Sequence, residues 1–443
     1  MKKRRYIIIF LLTIILLSGC SLSLTEKRVL SNEQWLEDIQ TLDKELKEEH
    51  PNIFKYISEE EWNKSIESLK KDVDNLSDTD IILRISQIVN TVGDAHTFIH
   101  PIDLLKPIDE KKLNPETIVE FPIKGDYFND GFRIVECGSN YQKILGSRLV
   151  AINNIDINTI LNDVATLIPG DYKNNQCSLA YAKFFINSYD VLKFFNVIDS
   201  TNAEFTFEND NGEEIILNLK AVEKNKINYI SPHKKEMKTN IIEGIENPYY
   251  WYKNFEEDNI LYFRYNSFGT NYSIFKDNEI GELIPDFREV QERLIDVINK
   301  HDYSKFIIDL RENGGGDVNI RNAMMEMFKI RTDLKGEDIY VITGKQSGSA
   351  SVTLAWELQS KLDANVVGET TGGNVNLFST HNQSIVLPNS GLNIYHSFKE
   401  SIYDKDHIGG VVPDFEVIQT YEDYINGVDT CYEYIKDLDG NNK

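Results

Sequence analysis

The spacing of apolar residues divides the chain into stretches of different period. Tyr6 to Leu17 is almost continuously apolar and follows a basic head, Lys2, Lys3, Arg4 and Arg5. Three amphipathic helices follow. Trp35, Leu36, Ile39, Leu42 and Leu46 fall at helical spacing behind Ser31 and Gln34, a capping-box pair; Ser58 and Glu61 repeat the device ahead of Trp62, Ile66, Leu69, Val73 and Leu76. Ile81, Ile82, Ile85, Ile88, Val89 and Val92 form a third apolar stripe, which is expected to run straight into Gly93-Asp94-Ala95-His96-Thr97. From about Ile118 to Val222 the period shortens to that of strands, at Phe132–Val135, Leu149–Ile152, Ala203–Phe207 and Ile215–Leu219. A helical stretch near Leu179–Phe195 interrupts them, and Asn211-Gly212 marks a hairpin turn between the last two. The remainder alternates strand and helix: strands at Ile260–Tyr265, Phe306–Leu310, Ile339–Thr343 and Val366–Gly368, helices around Phe287–Ile298, Val318–Ile330 and Ser349–Leu362. Such alternation predicts an α/β fold with parallel strands, whose ligands sit beyond the carboxyl ends of the strands.

The apolar stretch at the N-terminus is short for a permanent span, which needs about 20 residues, and suits a signal peptide. It ends in Leu17-Ser18-Gly19-Cys20, which resembles a bacterial lipobox. Small residues let the backbone enter a signal peptidase, and the Cys20 thiol is the expected acceptor of lipid. The expectation is therefore export, with the chain held by lipid on the extracytoplasmic face of the cell membrane; two or more acyl chains make such anchoring stable. The expected organisation is residues 1–19 as signal peptide, 20–30 as tether, 31–112 as a helical domain, 113–225 as a small α+β module and 226–443 as the α/β core.

Composition narrows the partners. With 41% hydrophobic and 11% aromatic residues the chain can bury real cores. Its formal charge is −24, and −28 (−24 − 4) once the four basic signal residues are removed, which disfavours nucleic acid. Apart from Cys20 there are Cys137, Cys177 and Cys431, enough for one disulfide at most. His50, His96, His100, His233, His301, His381, His396 and His407 are scattered and H-E-x-x-H is absent, so neither a metal nor another cofactor is expected.

Candidate chemistry gathers at the predicted strand ends. Asp309-Leu310-Arg311-Glu312-Asn313-Gly314-Gly315-Gly316 lies between a strand and a helix, and its glycines allow close approach of backbone to substrate and an anion-binding nest. A plain strand-to-helix turn would read the same way. Gly344-Lys345-Gln346-Ser347-Gly348-Ser349-Ala350-Ser351 follows the next strand. Ser349 stands at the first turn of a helix, where free N–H groups and the positive dipole end stabilise an oxyanion. Ser347, Ser349 or Ser351 would equally serve as the helix N-cap. A serine nucleophile needs a base, and His96 is the candidate, with an ordinary pKa of about 6.5. Alternatively it is a helix-terminating histidine that complements the dipole.

These segments, taken in order, resemble the tail-specific (C-terminal processing) peptidase family of serine peptidases, and more nearly its tricorn-core and interphotoreceptor retinoid-binding-protein branch. The marks are Gly93–Thr97, Phe306–Gly316, Ser347–Ser351, Val366–Gly373 (Val-Val-Gly-Glu-Thr-Thr-Gly-Gly) and Val412-Pro413-Asp414. The resemblance implies a crotonase-like α/β catalytic core preceded by a degenerate PDZ-like module, with Gly146–Asn154 similar to the family's PDZ strand. It implies Ser349 as nucleophile, with the N–H groups of Gly315 or Gly316 and of Ala350 as the oxyanion hole. The lysine base of the processing branch is missing, its place taken by Asn374; the tricorn-like branch uses a histidine, and His96 matches it, although Ala95 stands where that branch has serine. The acid is displaced, with Asp94, Glu369, Asp404 and Asp406 as candidates. The expected activity is a surface-anchored serine endopeptidase acting on peptides or unfolded protein. The alternatives are a catalytically silent relative that binds a peptide or small apolar ligand in the same cleft, and a hydrolase of small esters.

Overall fold

The computed structural model describes residues 29–105, 118–232, 250–268, 287–300, 303–330, 338–379 and 383–438. The signal stretch, Cys20 and the first part of the tether lie outside the described residues, as does the boundary expected at 112/113.

Helices α1 (Asn32–Glu49), α2 (Glu59–Asp72) and α3 (Asp78–Asn90) open the fold, and each starts with a complete capping box: Ser31/Gln34, Ser58/Glu61 and, not anticipated, Ser77/Asp80. Each box satisfies two of the N–H groups a helix start leaves unpaired. Trp35 and Trp62 are fully buried, and each indole N–H keeps a partner, Asp78 at 2.6 Å and Asp43 at 2.7 Å. Helix α3 stops at Asn90, short of the expected run into Gly93. Gly93 takes φ +71° and donates to the Asn90 carbonyl, so residues 93–97 form a turn that leads into the two-residue strand Phe98–Ile99.

The next module is an antiparallel sheet ordered Tyr229–Ile230, Gly131–Gly138, Arg148–Ile152, Asn202–Glu208, Glu214–Lys220, with Ile123–Phe128 also paired to Gly131–Gly138. Asn153 and Asn154 both take positive φ, the demand of a tight two-residue hairpin, and join Arg148–Ile152 to Ile155–Asp156. The expected helical stretch resolves into Gln176–Ala182 and Tyr189–Phe194. The buried faces of this sheet and of α1–α3 merge into one hydrophobic core.

The C-terminal sheet runs β1 (Tyr250–Phe255), β2 (Ile260–Tyr265), β3 (Lys305–Asp309), β4 (Ile339–Thr343), β5 (Asn365–Gly368), β6 (Phe415–Glu416), antiparallel at the first pair and parallel thereafter. Helices α4 (Phe287–Lys300), α5 (Val318–Ile330) and α6 (Ala350–Leu362) alternate with β2 to β5. Successive residues of a strand feed opposite cores: Phe306, Ile308 and Val341 enter one, Ile307, Tyr340 and Ile342 the other. Covering on both faces explains why these strands read as unbroken apolar runs.

One excursion ties the halves together. Strands Ser384–Val386 and Asn393–Tyr395 form a hairpin that leaves the C-terminal sheet and pairs with Phe98–Ile99, setting Phe98 opposite Tyr395. Its Ile385, Leu387, Leu392 and Ile394 join the N-terminal core. At its tip the buried Asp38 carboxylate accepts from the backbone of Asn389 and of Ser390, each at 2.8 Å.

The C-terminal helix Thr430–Asp437 is held in a comparable way. Asp429 caps it through the N–H groups of Cys431 and Tyr432, and also binds the Arg311 guanidinium through both oxygens, at 3.2 and 2.7 Å. Asp429→Ala leaves Arg311, four-fifths buried, with Asp309 as its remaining carboxylate partner among the described residues. The expected loss is about 3–5 kcal/mol of unfolding free energy, read as a lower urea midpoint at unchanged slope; Asp429→Asn, which keeps a capping oxygen, should lose less.

Candidate active site

The carboxyl ends of β3 and β4 carry the two glycine-rich loops, and Asn313 joins them. Fully buried, it accepts at its side-chain oxygen from Gly315 N–H at 2.8 Å and donates its amide to the Tyr265 carbonyl at 2.9 Å. Its own carbonyl accepts from Gly348 N–H at 2.9 Å and from the Ser351 hydroxyl at 2.6 Å. Ser347 completes the seam, donating to the Leu310 carbonyl at 2.8 Å. Gly315 cannot be replaced without displacement, since a Cβ there would lie 2.6 Å from the Ser349 Cβ.

Ser349 differs from its two neighbours. It occupies the N-cap position of α6, but its side chain makes no capping hydrogen bond, and its backbone sits at φ +50°, ψ −122°. A β-carbon at positive φ is strained by about 1–3 kcal/mol, held here by the surrounding seam. The hydroxyl instead meets His96: Ser349 Oγ lies 3.1 Å from His96 Nε2, across 253 residues of sequence. Among the described residues, the N–H groups of Gly316 and Ala350 donate to no other group, whereas Gly315 N–H is taken by Asn313. Of the expected oxyanion donors, Gly315 is therefore committed elsewhere, and Gly316 and Ala350 remain.

Behind His96 lies Asp94, sealed from solvent. Its Oδ2 accepts from His50 Nε2 at 3.1 Å and from the Thr97 hydroxyl at 2.6 Å. Its Oδ1 accepts from His96 N–H at 2.9 Å and faces His96 Nδ1 at 3.7 Å. The last distance is too long for a hydrogen bond, so Asp94 acts on the ring through charge. The His50 tautomer is fixed, because its Nδ1 accepts from Asn52 N–H, leaving Nε2 to carry the proton toward Asp94. Burial drives the Asp94 pKa up, but the His50 and His96 hydrogen bonds and the His96 charge outweigh it and hold the carboxyl well below its usual range. For His96, burial pulls the pKa down, and Asp94, aided by the charge of Asp171, carries it above the ordinary value.

Asp171 and His50 are the parts that sequence reasoning missed. Asp171 bridges the His96 turn to the loop beside Ser349, accepting from Ala95 N–H at 2.9 Å and from Asn374 N–H at 2.8 Å. Burial raises its pKa against these hydrogen bonds. The other expected acids are spent elsewhere or face water: Glu369 pairs with Lys345 at 2.8 Å, and Asp406 is exposed, its N–H bonded to Asp404. Cys137, Cys177 and Cys431 are free thiols.

Residues 330–417, which span β4, Ser349, α6 and Gly372–Asn374, match the model of peptidase family S41. No curated protein matches the sequence at a significant level. Mature CPAF in complex with lactacystin shares the fold at 12% identity and TM-score 0.58, the alignment covering 91% of this chain and 97% of that one; the CPAF S499A mutant is alike at 13% identity and TM-score 0.58, covering 91% and 96%. The tricorn protease aligns at 14% identity and TM-score 0.40, over 92% of this chain and 36% of that one. The segment that matches peptidase family S41 thus contains the Ser349 loop, and the chain as a whole shares a mixed α/β fold with such proteases.

Proposed function

We propose that the protein is a surface-anchored serine endopeptidase working through an acyl-enzyme on Ser349. The observation that carries this reading is the 3.1 Å approach of His96 Nε2 to a Ser349 hydroxyl that does no capping. With the Nδ1 proton facing Asp94, Nε2 is the free acceptor. Ser349 Oγ attacks the scissile carbonyl carbon as its proton passes to Nε2. The carbonyl oxygen becomes an oxyanion that accepts from Gly316 and Ala350 N–H, on the positive end of α6. Collapse breaks the C–N bond, and the leaving amine takes the proton from His96. Water, deprotonated by the same nitrogen, then releases the acid and restores Ser349. Asp94 orients the ring and stabilises its charged form, and it is the acid we assign. The contact between Ser349 and His96 favours the peptidase over a catalytically silent binder.

The division into residues 31–112, 113–225 and 226–443, with a PDZ-like sheet ahead of a crotonase-like core, belongs to the same reading. So does lipid on Cys20, which would hold the enzyme on the extracytoplasmic face, where peptides and unfolded proteins are its substrates and nucleic acid is not.

Fluorophosphonate labelling of the full chain in detergent tests the chemistry. Label should enter the wild type and be lost in Ser349→Ala and His96→Ala, with peptide cleavage falling about 10⁴- to 10⁶-fold; a folded wild type that takes no label would overturn the assignment. The labelling rate should also rise with pH, because the base must be neutral. Its midpoint should lie above the ordinary histidine value of about 6.5, since a raised pKa keeps His96 protonated to higher pH. Asp94→Asn removes the charge that raises it and should move the midpoint down. For the anchor, Cys20→Ser should abolish incorporation of an alkyne-tagged palmitate and release the protein from the membrane fraction; incorporation that survives the change would place the lipid elsewhere.

A further inference from the structure

The antiparallel sheet of the second module ends on the strand Glu214–Lys220, seven residues that among the described strands pair with Asn202–Glu208 alone. The bonds at its two ends fix which of its backbone groups are spent. Asn209 N–H donates to the Glu213 carbonyl at 3.0 Å, and Ala221 N–H to the Thr201 carbonyl at 2.8 Å. The register between them is unbroken, so Ile215, Leu217 and Leu219 belong to the pairs that exchange hydrogen bonds with the neighbouring strand. The N–H and C=O groups of Glu214, Ile216, Asn218 and Lys220 point the other way, and they bond to no other described residue.

Alternation sorts the side chains as well. Leu219 is buried, and Ile215 and Leu217 pack half-buried against the N-terminal core. Glu214, Ile216, Asn218 and Lys220 are exposed on the opposite face, Ile216 by 52%. Folded proteins commonly protect such an edge with a proline, a bulge or an inward-pointing charge. This strand has none of the three. Its two charges stand instead at opposite ends and have opposite sign, and neither Glu214 nor Lys220 has an ion-pair partner among the described residues.

We infer that this edge pairs with the same edge of a second copy of the chain, antiparallel and centred on Leu217, so that the two sheets become one. A second copy is favoured over a foreign strand because the edge is complementary to itself. About a two-fold axis at Leu217, Glu214 stands opposite Lys220 of the second copy, and Ile216 opposite its Asn218. The outward N–H and C=O groups of the two copies then meet in hydrogen-bonded positions, and both ends of the seam carry an ion pair. The two Ile216 side chains become diagonal neighbours at the centre, and Leu217 faces its own copy on the core side. A slip of two residues in either direction takes Glu214 off Lys220, and a parallel arrangement sets like charges side by side. The charges therefore select one register. The inference is independent of the peptidase reading.

Sedimentation equilibrium of the full chain in density-matched detergent reads the assembly directly. The wild type should be a dimer in the micromolar range and should dissociate as salt is raised. Glu214→Lys and Lys220→Glu each turn two attractive contacts into two repulsive ones, and each should weaken the dimer about 30-fold. Both positions are exposed, so the far-UV circular dichroism of either variant should match the wild type. The double exchange Glu214→Lys with Lys220→Glu rebuilds both ion pairs with their signs reversed and should restore the dimer. That rescue is the outcome a merely damaged fold could not give. A wild type that stays monomeric leaves the edge free or to a foreign strand and overturns the inference. So does a dimer indifferent to either single reversal, which lies on another surface, or a loss that the double exchange does not repair.

Discussion

A carboxylate sealed from water at Asp94 dictates much of what surrounds it. An ionised group in that position is tolerable only if its oxygens are filled with donors, and three groups supply them, His50 Nε2, the Thr97 hydroxyl and the His96 N–H, while the His96 ring adds charge from 3.7 Å. To reach Asp94, His50 must stand just past the end of α1, and α3 must stop at Asn90 so that the chain can turn. The orientation of His96 is thus a by-product of solving a solvation problem.

The proposed nucleophile and its scaffold are divided among three serines within five residues. Ser347 and Ser351 turn inward and bind carbonyls of the neighbouring loop, which holds the seam between β3 and β4 rigid. Ser349, in the position where a serine ordinarily caps a helix, is released from that duty by a backbone conformation its neighbours enforce. Rigid support on either side is what keeps the oxyanion donors and the hydroxyl at fixed separation.

Much of this could be read from the amino acids. The capping boxes at Ser31 and Ser58, the apolar runs of β3 and β4 and the glycine loops are local signals, set by hydrogen-bond and burial rules that act within a few residues. What escaped was nonlocal. Nothing in the order of residues joins His50 to Asp94, or Asp171 to both Ala95 and Asn374, because buried carboxylates choose donors by proximity in space. The Ser384–Tyr395 hairpin reads as part of the C-terminal half, yet its apolar face belongs to the N-terminal core. Gly315 and Gly316 are indistinguishable as letters, and only the Asn313 side chain tells their N–H groups apart. Four acidic candidates were open for the same reason: partner choice is a property of the folded surface.

The hairpin that crosses between the halves has a consequence for the history of each molecule. Residues 384–395 support Phe98–Ile99, the strand that begins two residues after His96, and Ser349 reaches that histidine only across 253 residues. A chain emerging N-terminus first therefore carries His96 long before it carries Ser349, and the strand beside His96 stays without this partner until nearly the whole polypeptide has appeared. Contacts of such long sequence separation form late in folding. A half-made protein therefore cannot yet bring Ser349 to His96, so on the proposed reading the order of synthesis itself delays peptide cleavage until the late segments have appeared.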